Sequence, residues 1–387
     1  MEVTIERILP GGLGLAHADG QTIMVALAAP GDRLRIRIDR VKGNVAFASI
    51  EEIVEPAANR IEPPCPYFGR CGGCDFQQMT YDAQLAAKKE IIKDCLHRIG
   101  GLAVVPEFEI VAAPHEWHYR ARAQWQYDEQ QKRLGYFESG SRRVCDVADC
   151  AVLMPRLQRT LEELRALMIE DSLPEDARYF RALEGDDAVS ITPRAGNPSA
   201  SEASIRRTIA DETYSLNAGS FFQTNAELLP ELIDAAIGIV SGETAIELYC
   251  GVGLFTLPLA RRFANVTAIE NDRDAAKFAR ANLANAGLTN AYVTKSDVGE
   301  WLKRAETGAN NTDFLLLDPP RTGAESRVIT GILTLKPRRI CYVSCDPATL
   351  ARDLKKLVAG GFAIDTIVAF DMFPQTHHVE TVVHLSG

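Results

Sequence analysis

The second half of the chain alternates between short apolar runs and helical patterns, and this alternation restricts the possible folds more than any other feature. After Gln223, strands are predicted at TAIEL, VTAIE, AYVTK, DFLLLD, RICYVS, AIDTIVAFD and HVETVVHLS. The clearest helix between them is DAAKFARANLANAG, which ends at Gly287. Because the apolar runs are continuous, both faces of the sheet must be covered, and the pattern predicts an α/β fold with a mostly parallel sheet. The connection MFPQTH is short, so the last two strands should be antiparallel.

Two regions of different character precede this sheet. Residues 1–56 consist of short alternating runs separated by glycine turns, which predicts a small β-barrel. This segment resembles a TRAM domain, an oligonucleotide-binding-like barrel attached to RNA-modifying enzymes, although a purely structural barrel would have the same pattern. Residues 57–215 mix strands with polar loops and predict a middle α+β domain. Its one clear helix, over residues 81–100, is expected to pack on the C-terminal domain, residues 216–387.

The charge of the chain indicates whether it can bind nucleic acid. The net charge is -10 and the sequence pI is near 5.3, which counts against a general nucleic-acid binder. Local basic clusters remain, because Arg33, Arg35 and Arg37 alternate with apolar residues, as on the solvent face of a strand. A second cluster, Arg120 and Arg122, lies among aromatic residues. Each cluster alone is explained by a solvated surface, but the combination with aromatic residues favours RNA.

Neither hydropathy nor cysteine usage indicates export. No run reaches the roughly 18 uncharged apolar residues that a membrane helix needs. The first residues, MEVTIERILPGG, contain Glu2 and Glu6 and no basic segment, so they do not form a signal peptide. The nine cysteines are an odd number, which counts against a disulfide framework. We therefore expect a cytoplasmic, monomeric protein that does not bind membranes.

A glycine-containing loop, ELYCGVG (residues 247–253), follows the first predicted C-terminal strand. Gly251 lets the backbone approach a ligand closely, whereas Phe255 would crowd a pyrophosphate and disfavours a dinucleotide. Glu270 ends the next strand, where its carboxylate could accept both ribose hydroxyls of a nucleoside. Asp297, after the third strand, could contact an adenine amine. These positions favour S-adenosylmethionine over NAD.

The next two strands end in residues that predict the reaction. Asp318 begins the sequence DPPR, and Arg321 stands where an aromatic residue would indicate amine methylation. Cys345 ends the following strand. Carbon 5 of uracil is too weak a nucleophile to attack a sulfonium methyl, but addition of a thiolate to C6 turns C5 into an enolate carbon. A proton must then leave C5, and Glu380 at the start of the last strand is the candidate base. The amide of Gln223 could contact the cofactor or the base.

Five motifs, taken in order, point to one family. FFQTN, IELYCGVG, LLLDPPRTG, YVSCDPATLARD and HHVETV resemble the RNA uracil-C5 methyltransferases of bacterial ribosomal and transfer RNA, and the resemblance covers essentially the whole chain. It implies a Rossmann-like class I methyltransferase domain with Cys345 as the nucleophile and Glu380 as the general base. The implied S-adenosylmethionine site consists of Gln223, Tyr249, Glu270, Asp297 and Asp318. Two positions depart from the family pattern: Leu254 stands where some members have asparagine, and Asp346 where asparagine is common.

Four cysteines on two distant segments are candidate metal ligands. Cys65, Cys71 and Cys74 lie in CPYFGRCGGC, and Cys150 lies far downstream. Spacing alone allows either zinc or an iron–sulfur cluster. The family resemblance implies a 4Fe–4S cluster, because larger members of the family have the same arrangement. Cys145 is a competing fourth ligand, and Cys150 is favoured because the family's downstream cysteine precedes the same hydrophobic run ending in proline. Methyl transfer is redox-neutral, so the expected role is structural or in RNA folding.

Together these observations predict an S-adenosylmethionine-dependent RNA (uracil-C5-)-methyltransferase that acts on 23S ribosomal RNA. The cysteines and the barrel favour the ribosomal branch over the transfer-RNA branch, which lacks the cluster. An amine methyltransferase is opposed by Arg321 and Cys345. A non-catalytic iron–sulfur RNA-binding protein would not need Cys345 and Glu380 together. We expect the substrate to be a structured RNA loop, because the target base must leave its stack to expose C5 and C6.

Overall fold

A computed structural model describes residues 1–193, 202–305 and 312–387. Its N-terminal region is all-β, as predicted, and its strands have the order β1-β5-β6-β4-β3-β2 in one sheet. Neighbouring strands are antiparallel except for the parallel pair β4 and β6. Alternate apolar residues of these strands, such as Ile23, Val25, Leu34 and Ile36, form a separate small core. The strands are β1 (Glu2–Thr4), β2 (Arg7–Ile8), β3 (Gly14–Ala18), β4 (Gln21–Val25), β5 (Arg33–Lys42) and β6 (Val45–Glu55).

The middle region contains an antiparallel sheet with the order β10-β9-β8-β11-β12. One helix, α2, packs on one face of this sheet, where Trp125 and Phe180 are fully buried against Leu157 and Leu161. The elements of this region are α1 (Tyr81–Arg98), β7 (Glu109–Val111), β8 (Arg122–Asp128), β9 (Arg133–Phe137), β10 (Val144–Asp146), α2 (Pro155–Ile169), β11 (Tyr179–Glu184) and β12 (Val189–Thr192).

The C-terminal region has the predicted alternation of strands and helices, and each of the expected strands is present. A hairpin, β13 with β14, precedes it. The elements are β13 (Ile205–Ile209), β14 (Glu212–Leu216), α3 (Leu229–Ile237), β15 (Gly242–Leu248), α4 (Thr256–Arg262), β16 (Phe263–Glu270), α5 (Arg273–Asn285), β17 (Ala291–Lys295), α6 (Val298–Ala305), β18 (Phe314–Leu317), α7 (Ser326–Leu335), β19 (Arg339–Ser344), α8 (Pro347–Ala359), β20 (Ala363–Phe370) and β21 (Glu380–Ser386).

The C-terminal sheet has the order β17-β16-β15-β18-β19-β21-β20-β7. All its pairs are parallel except those of β21, which is antiparallel to both β19 and β20, as the short connection predicts. From β15 the chain first builds outward to β17 and then returns to place β18 on the other side. Ligands of such sheets bind in the crevice outside the carboxyl ends of the strands at this reversal, so the site should lie beyond β15 and β18.

The middle region is tied closely to the C-terminal sheet. Strand β7 pairs in parallel with β20 and forms the edge of that sheet. Helix α1 packs on α8, and Ile91, Ile92 and Leu96 share one core with Leu350 and Leu354. Residues before position 215 therefore complete the core of the C-terminal sheet. Within the described part of the chain, no helix is long and apolar enough to cross a membrane.

Candidate active site

The loop after β15 has the tight backbone that its sequence predicts. Tyr249, Gly251 and Gly253 all have positive φ angles, of 65°, 55° and 97°. A positive φ is unusual for a residue with a side chain, so Tyr249 is held there by its surroundings. At Gly253 a Cβ atom would also lie 3.2 Å from Leu257 Cδ1. The loop thereby turns sharply at the carboxyl end of the strand and exposes its backbone to the crevice.

Glu270 is fixed by the same loop. Its carboxylate accepts hydrogen bonds from the backbone N–H groups of Gly251, at 2.9 Å, and Asp272, at 2.6 Å. Asp272 in turn caps helix α5 by accepting from the N–H groups of Asp274 and Ala275. The carboxylate that sequence reasoning assigned to the ribose is therefore oriented before any ligand binds.

A cavity lies beside this loop. Four of the six predicted cofactor residues line it: Gln223, Tyr249, Gly251 and Asp318. Leu254, one of the departures from the family pattern, lines it too. Glu270 adjoins the cavity through its bond to Gly251.

Asp297, which the sequence assigns to the adenine amine, is hydrogen-bonded to other groups of the protein. One of its oxygens accepts from the Glu300 N–H at 2.9 Å, and the other accepts from Arg327 at 3.2 Å. The side chain therefore stabilises the first turn of α6 and an ion pair. An adenine amine would have to share this carboxylate with Arg327, a competitor that the sequence did not reveal.

The predicted reaction centre lies where β18, β19 and β21 come together. Ser344 is paired with Thr381 across β19 and β21, which puts Cys345 and Glu380 at the same edge of the sheet. Glu380 is 1% exposed, and neither of its carboxylate oxygens has a hydrogen-bond partner. Buried polar groups without partners are rare in folded proteins, and an ionisable one in a crevice is a candidate functional group.

Electrostatic interactions connect these side chains. Burial raises the pKa of Glu380 well above its ordinary value; Asp318 raises it further, and Arg321 opposes both. Burial also raises the pKa of Asp318, which a hydrogen bond with Gln223 opposes. The pKa of Cys345 is raised to about 12, first by burial and then by Glu380 and Asp318, while Arg321 lowers it. Arg321 therefore favours the ionised forms of Cys345 and Glu380, and Gln223 favours that of Asp318.

Asp346, the second departure from the family pattern, has a local explanation. It is the N-cap of α8, and its side chain accepts from the Thr349 N–H at 2.8 Å. Asparagine and aspartate cap helices about equally well, so either residue begins this helix.

A second cleft opens between the middle region and this centre. Three cations line it together with His378 and Phe373: Arg120 and Arg122 from the middle region and Arg321 from the C-terminal region. The His378 and Phe373 rings are edge-to-face at 5.9 Å, and burial lowers the pKa of the imidazole to about 2, so His378 is neutral. Neither residue was predicted from the sequence. The position of His378, two residues before Glu380, could have indicated that it lies near the site.

The predicted cysteines face a common space. Cys65, Cys71, Cys74 and Cys150 line one cavity, and Cys145 does not. Cys145 instead accepts a hydrogen bond from Arg70 at 3.3 Å. In residues 1–193, 202–305 and 312–387, no group of three or more His, Cys, Asp or Glu side chains is arranged to hold a metal ion.

Two hydrogen-bond donors at the cysteine cavity have no partner. Arg120 Nε and Tyr136 Oη are both buried without one, and both residues line the cavity. An anionic group between the cysteines would accept hydrogen bonds from donors placed in this way. The residues present therefore fit an anionic centre.

The cysteine loop also contacts the loop that precedes Glu380. Asp75 accepts from the His377 backbone N–H at 2.8 Å and lies 2.5 Å from His377 Nδ1. On the N-terminal unit, a Cβ at Gly12 would lie 2.9 Å from Asp75 and 3.2 Å from His377. All three regions of the chain therefore meet at His377.

Comparisons with known proteins identify the family of the chain. A family model described as tRNA (Uracil-5-)-methyltransferase matches residues 204–387, and a TRAM domain model matches residues 1–50. The chain is 32% identical to the 23S rRNA (uracil(1939)-C(5))-methyltransferase RlmD of Pseudomonas putida, over 98% of this chain and 92% of the relative. The chain belongs to the S-adenosylmethionine-dependent RNA (uracil-5-)-methyltransferase family.

Other relatives of this methyltransferase extend over its whole length. An uncharacterized RNA methyltransferase of Thermosynechococcus vestitus is 31% identical over 100% of this chain and 98% of its own. The crystal structure of Pyrococcus abyssi tRNA (uracil-54, C5)-methyltransferase in complex with S-adenosyl-L-homocysteine has a TM-score of 0.78 and 27% identity, with 100% of both chains covered. The predicted family, enzyme class, Rossmann-like domain and TRAM domain are confirmed.

Proposed function

We propose that this methyltransferase transfers a methyl group from S-adenosylmethionine to C5 of a uridine in 23S ribosomal RNA, through a covalent bond between Cys345 and C6. The observation that carries the mechanism is Glu380, a buried and unpartnered carboxyl group beside Cys345. The ribosomal target is supported by the similarity to RlmD over nearly the full length of both chains. Transfer RNA is the second candidate, favoured by the similarity to the Pyrococcus abyssi enzyme.

The cofactor would occupy the cavity beside the glycine loop. When bound, S-adenosylmethionine supplies the methyl group on a positively charged sulfur. Glu270 would hold the ribose hydroxyls, Gln223, Tyr249, Gly251 and Asp318 would surround the rest of the molecule, and Asp297 would receive the adenine amine. Burial raises the pKa of Asp318, and a positive charge nearby would favour its ionised form.

The protein's own groups divide the reaction into two stages. The Cys345 thiolate adds to C6, and the electron pair of the C5–C6 double bond becomes available at C5 for the methyl group. Because the pKa of the thiol is raised to about 12, formation of the thiolate needs help from Arg321. Glu380 then removes the C5 proton, the C–H electron pair restores the double bond, and the sulfur leaves C6 as a thiolate.

The test of this function is adduct formation with RNA that contains 5-fluorouridine. Fluorine at C5 cannot leave as a proton, so the enzyme should stop as a covalent complex after methyl transfer. We expect a slower band on denaturing gels that contains both RNA and protein and depends on S-adenosylmethionine. Methylation of unmodified RNA without any such band would refute the covalent route.

We also propose that Cys65, Cys71, Cys74 and Cys150 bind a 4Fe–4S cluster. The support is their shared cavity and the unpartnered donors of Arg120 and Tyr136, which suit an anionic centre. The cluster would connect the loop at residues 65–74 to the middle sheet. Its role would be structural, because the methyl transfer needs no electrons.

Anaerobic purification should therefore give a brown protein that contains iron and acid-labile sulfide. Serine in place of Cys150 should remove most of the iron, since one of four thiolates is lost, whereas serine in place of Cys145 should leave it unchanged. The second variant is the matched control, because Cys145 lies nearby without lining the cavity. Zinc at one per chain without sulfide would refute the cluster.

A further inference from the structure

The middle sheet has two very different faces. Along β8 the residues alternate, so that Ala123, Trp125 and Tyr127 pack against helix α2 while Arg122, Gln124 and Gln126 point the other way. Strand β11 continues this arrangement with Tyr179 and Arg181 on the second face. Cross-strand pairing puts Arg181 opposite Gln124 and Tyr179 opposite Gln126. We call the residues of the second face the platform: Arg122, Gln124, Gln126, Tyr179 and Arg181.

The platform consists of cations, amides and an aromatic ring. Arg181 lies over the Tyr179 ring at 5.0 Å and donates to the Gln124 side-chain oxygen at 3.1 Å. Arg122 lies over the ring of Phe221 at 5.5 Å. Each guanidinium thus lies within cation–π distance of a ring.

Within residues 1–193, 202–305 and 312–387, neither Arg122 nor Arg181 forms a salt bridge with a carboxylate, in contrast to many other arginines near the surface. Arg181 donates to an amide rather than a carboxylate, and the charge that acts on Arg122 is that of Arg181. Arg122 Nε is also buried without a hydrogen-bond partner. Two like charges placed together in this way favour an anion between or beside them.

The arginines of β5, which the sequence marked as a basic face, contrast with the platform. Arg33 and Arg35 are both ion-paired with Glu2, at 3.3 and 3.0 Å, and Arg37 pairs with Asp39 at 3.2 Å. Their charges are therefore largely compensated within the TRAM domain. The interpretation of β5 as a basic surface is not supported by these contacts.

The platform is continuous with the cleft at the reaction centre. Arg122 and Gln124 line that cleft together with Arg321 and His378. Gln124 and Gln126 line an adjoining groove with Gly72, Gly73 and Phe137, which is 41% exposed. An RNA strand with one base in the cleft would contact the platform where the strand leaves the cleft.

We propose that the platform binds the single-stranded RNA that flanks the target uridine. Arg122 and Arg181 would contact phosphates, Tyr179 would stack on a base, and the amides of Gln124 and Gln126 would hydrogen-bond to base edges. Sheet surfaces with exposed aromatic rings and cations bind single-stranded RNA in this manner in other folds. This inference rests on RNA being the substrate.

The test compares two variants that lose the same charge. Arg181→Gln removes a platform cation, and Lys132→Gln removes an exposed lysine that pairs with Asp171 at the turn between β8 and β9. Binding of a fluorescein-labelled, unstructured RNA is measured by anisotropy over a range of salt concentrations. Each lost phosphate contact lowers the slope of log affinity against log salt by roughly 0.7.

Arg181→Gln should therefore weaken RNA binding roughly tenfold and lower this slope, while Lys132→Gln should match the wild type in both. Tyr179→Leu should weaken binding by a similar factor without changing the slope, because it removes stacking but no charge. All three variants should bind S-adenosylmethionine like the wild type, which shows that they are folded.

Two outcomes separate this inference from the proposed function. If wild-type protein binds RNA and forms the 5-fluorouridine adduct, but Arg181→Gln and Tyr179→Leu bind RNA as Lys132→Gln does, the platform is refuted and the function stands. If the wild type forms no adduct with any RNA, the failure belongs to the proposed function.

Discussion

Replacing Glu380 by glutamine should trap the methyltransferase on its RNA, whereas replacing Cys345 by alanine should prevent any covalent complex. Without a base at C5 the methylated adduct cannot lose its proton, and elimination of the Cys345 sulfur requires that loss. Without the thiol, C6 is never attacked. The two variants should therefore be equally inactive in turnover and opposite in adduct formation on denaturing gels.

The surroundings of Glu380 make glutamine a mild substitution. Glutamine has nearly the same shape as glutamate and carries no charge, and burial and Asp318 raise the pKa of this carboxyl group, so the site tolerates an uncharged side chain. The variant should fold and bind RNA normally. Because burial raises the pKa of Cys345 as well, the rate of adduct formation should rise with pH above neutrality, as more thiolate is present.

Cys341→Ala is the matched control for Cys345→Ala. Cys341 lies in β19, the strand that leads to Cys345, is fully buried in the core and should have no part in the chemistry. This variant should therefore methylate RNA and form the adduct. An active Cys345→Ala enzyme would disprove the covalent mechanism, while normal turnover by Glu380→Gln would leave the mechanism but require another base.

The sequence predicted best what depends on residues close together in the chain. Strands β15 to β21 follow from continuous apolar runs, and the ends of those strands identify Asp318, Cys345 and Glu380. The parallel strands β18 and β19 end at one edge of the sheet and the antiparallel strand β21 begins there, so these residues had to come together. The strand pattern thus predicted where these residues lie, while the family resemblance implied the roles of Cys345 and Glu380, which stay predictions.

The sequence predicted least well what depends on partners far along the chain. The arginines of β5 look basic in sequence, but Glu2 and Glu52 come to them across strand pairs. Asp297 looks available until Arg327, from a later helix, pairs with it. Such compensation is set by tertiary packing and leaves no local signal.

The loop between β20 and β21, which leads into Glu380, is also held by residues that are far from it in the sequence. Lys88 and Asp371 form an ion pair with both side chains fully buried, and Lys88 also donates to the Phe373 carbonyl at 3.0 Å. Gln375 donates its backbone N–H to Gln84 at 2.9 Å. Lysine is almost never fully buried unless it is paired, so helix α1 is specifically adapted to this loop.

Lys88→Met should lower the free energy of unfolding by about 3–5 kcal/mol, because it leaves Asp371 charged, buried and without its partner. The control is Lys89→Met on the same helix. Lys89 is partly exposed and lies 3.8 Å from Glu107, so its loss should cost less than about 1 kcal/mol. Urea denaturation of the full chain measures both, and equal stabilities would show that the buried pair contributes nothing.

Adding Asp371→Leu to Lys88→Met should restore most of the lost stability, since buried ion pairs can be replaced by apolar pairs at little cost. This double variant separates folding from positioning. It would bury an apolar pair between α1 and the loop, but it would lack the hydrogen bond from Lys88 to the Phe373 carbonyl. If that bond helps to place Glu380, the double variant should be stable yet slow in kcat with an unchanged KM for RNA. Full activity would show that packing alone positions the loop.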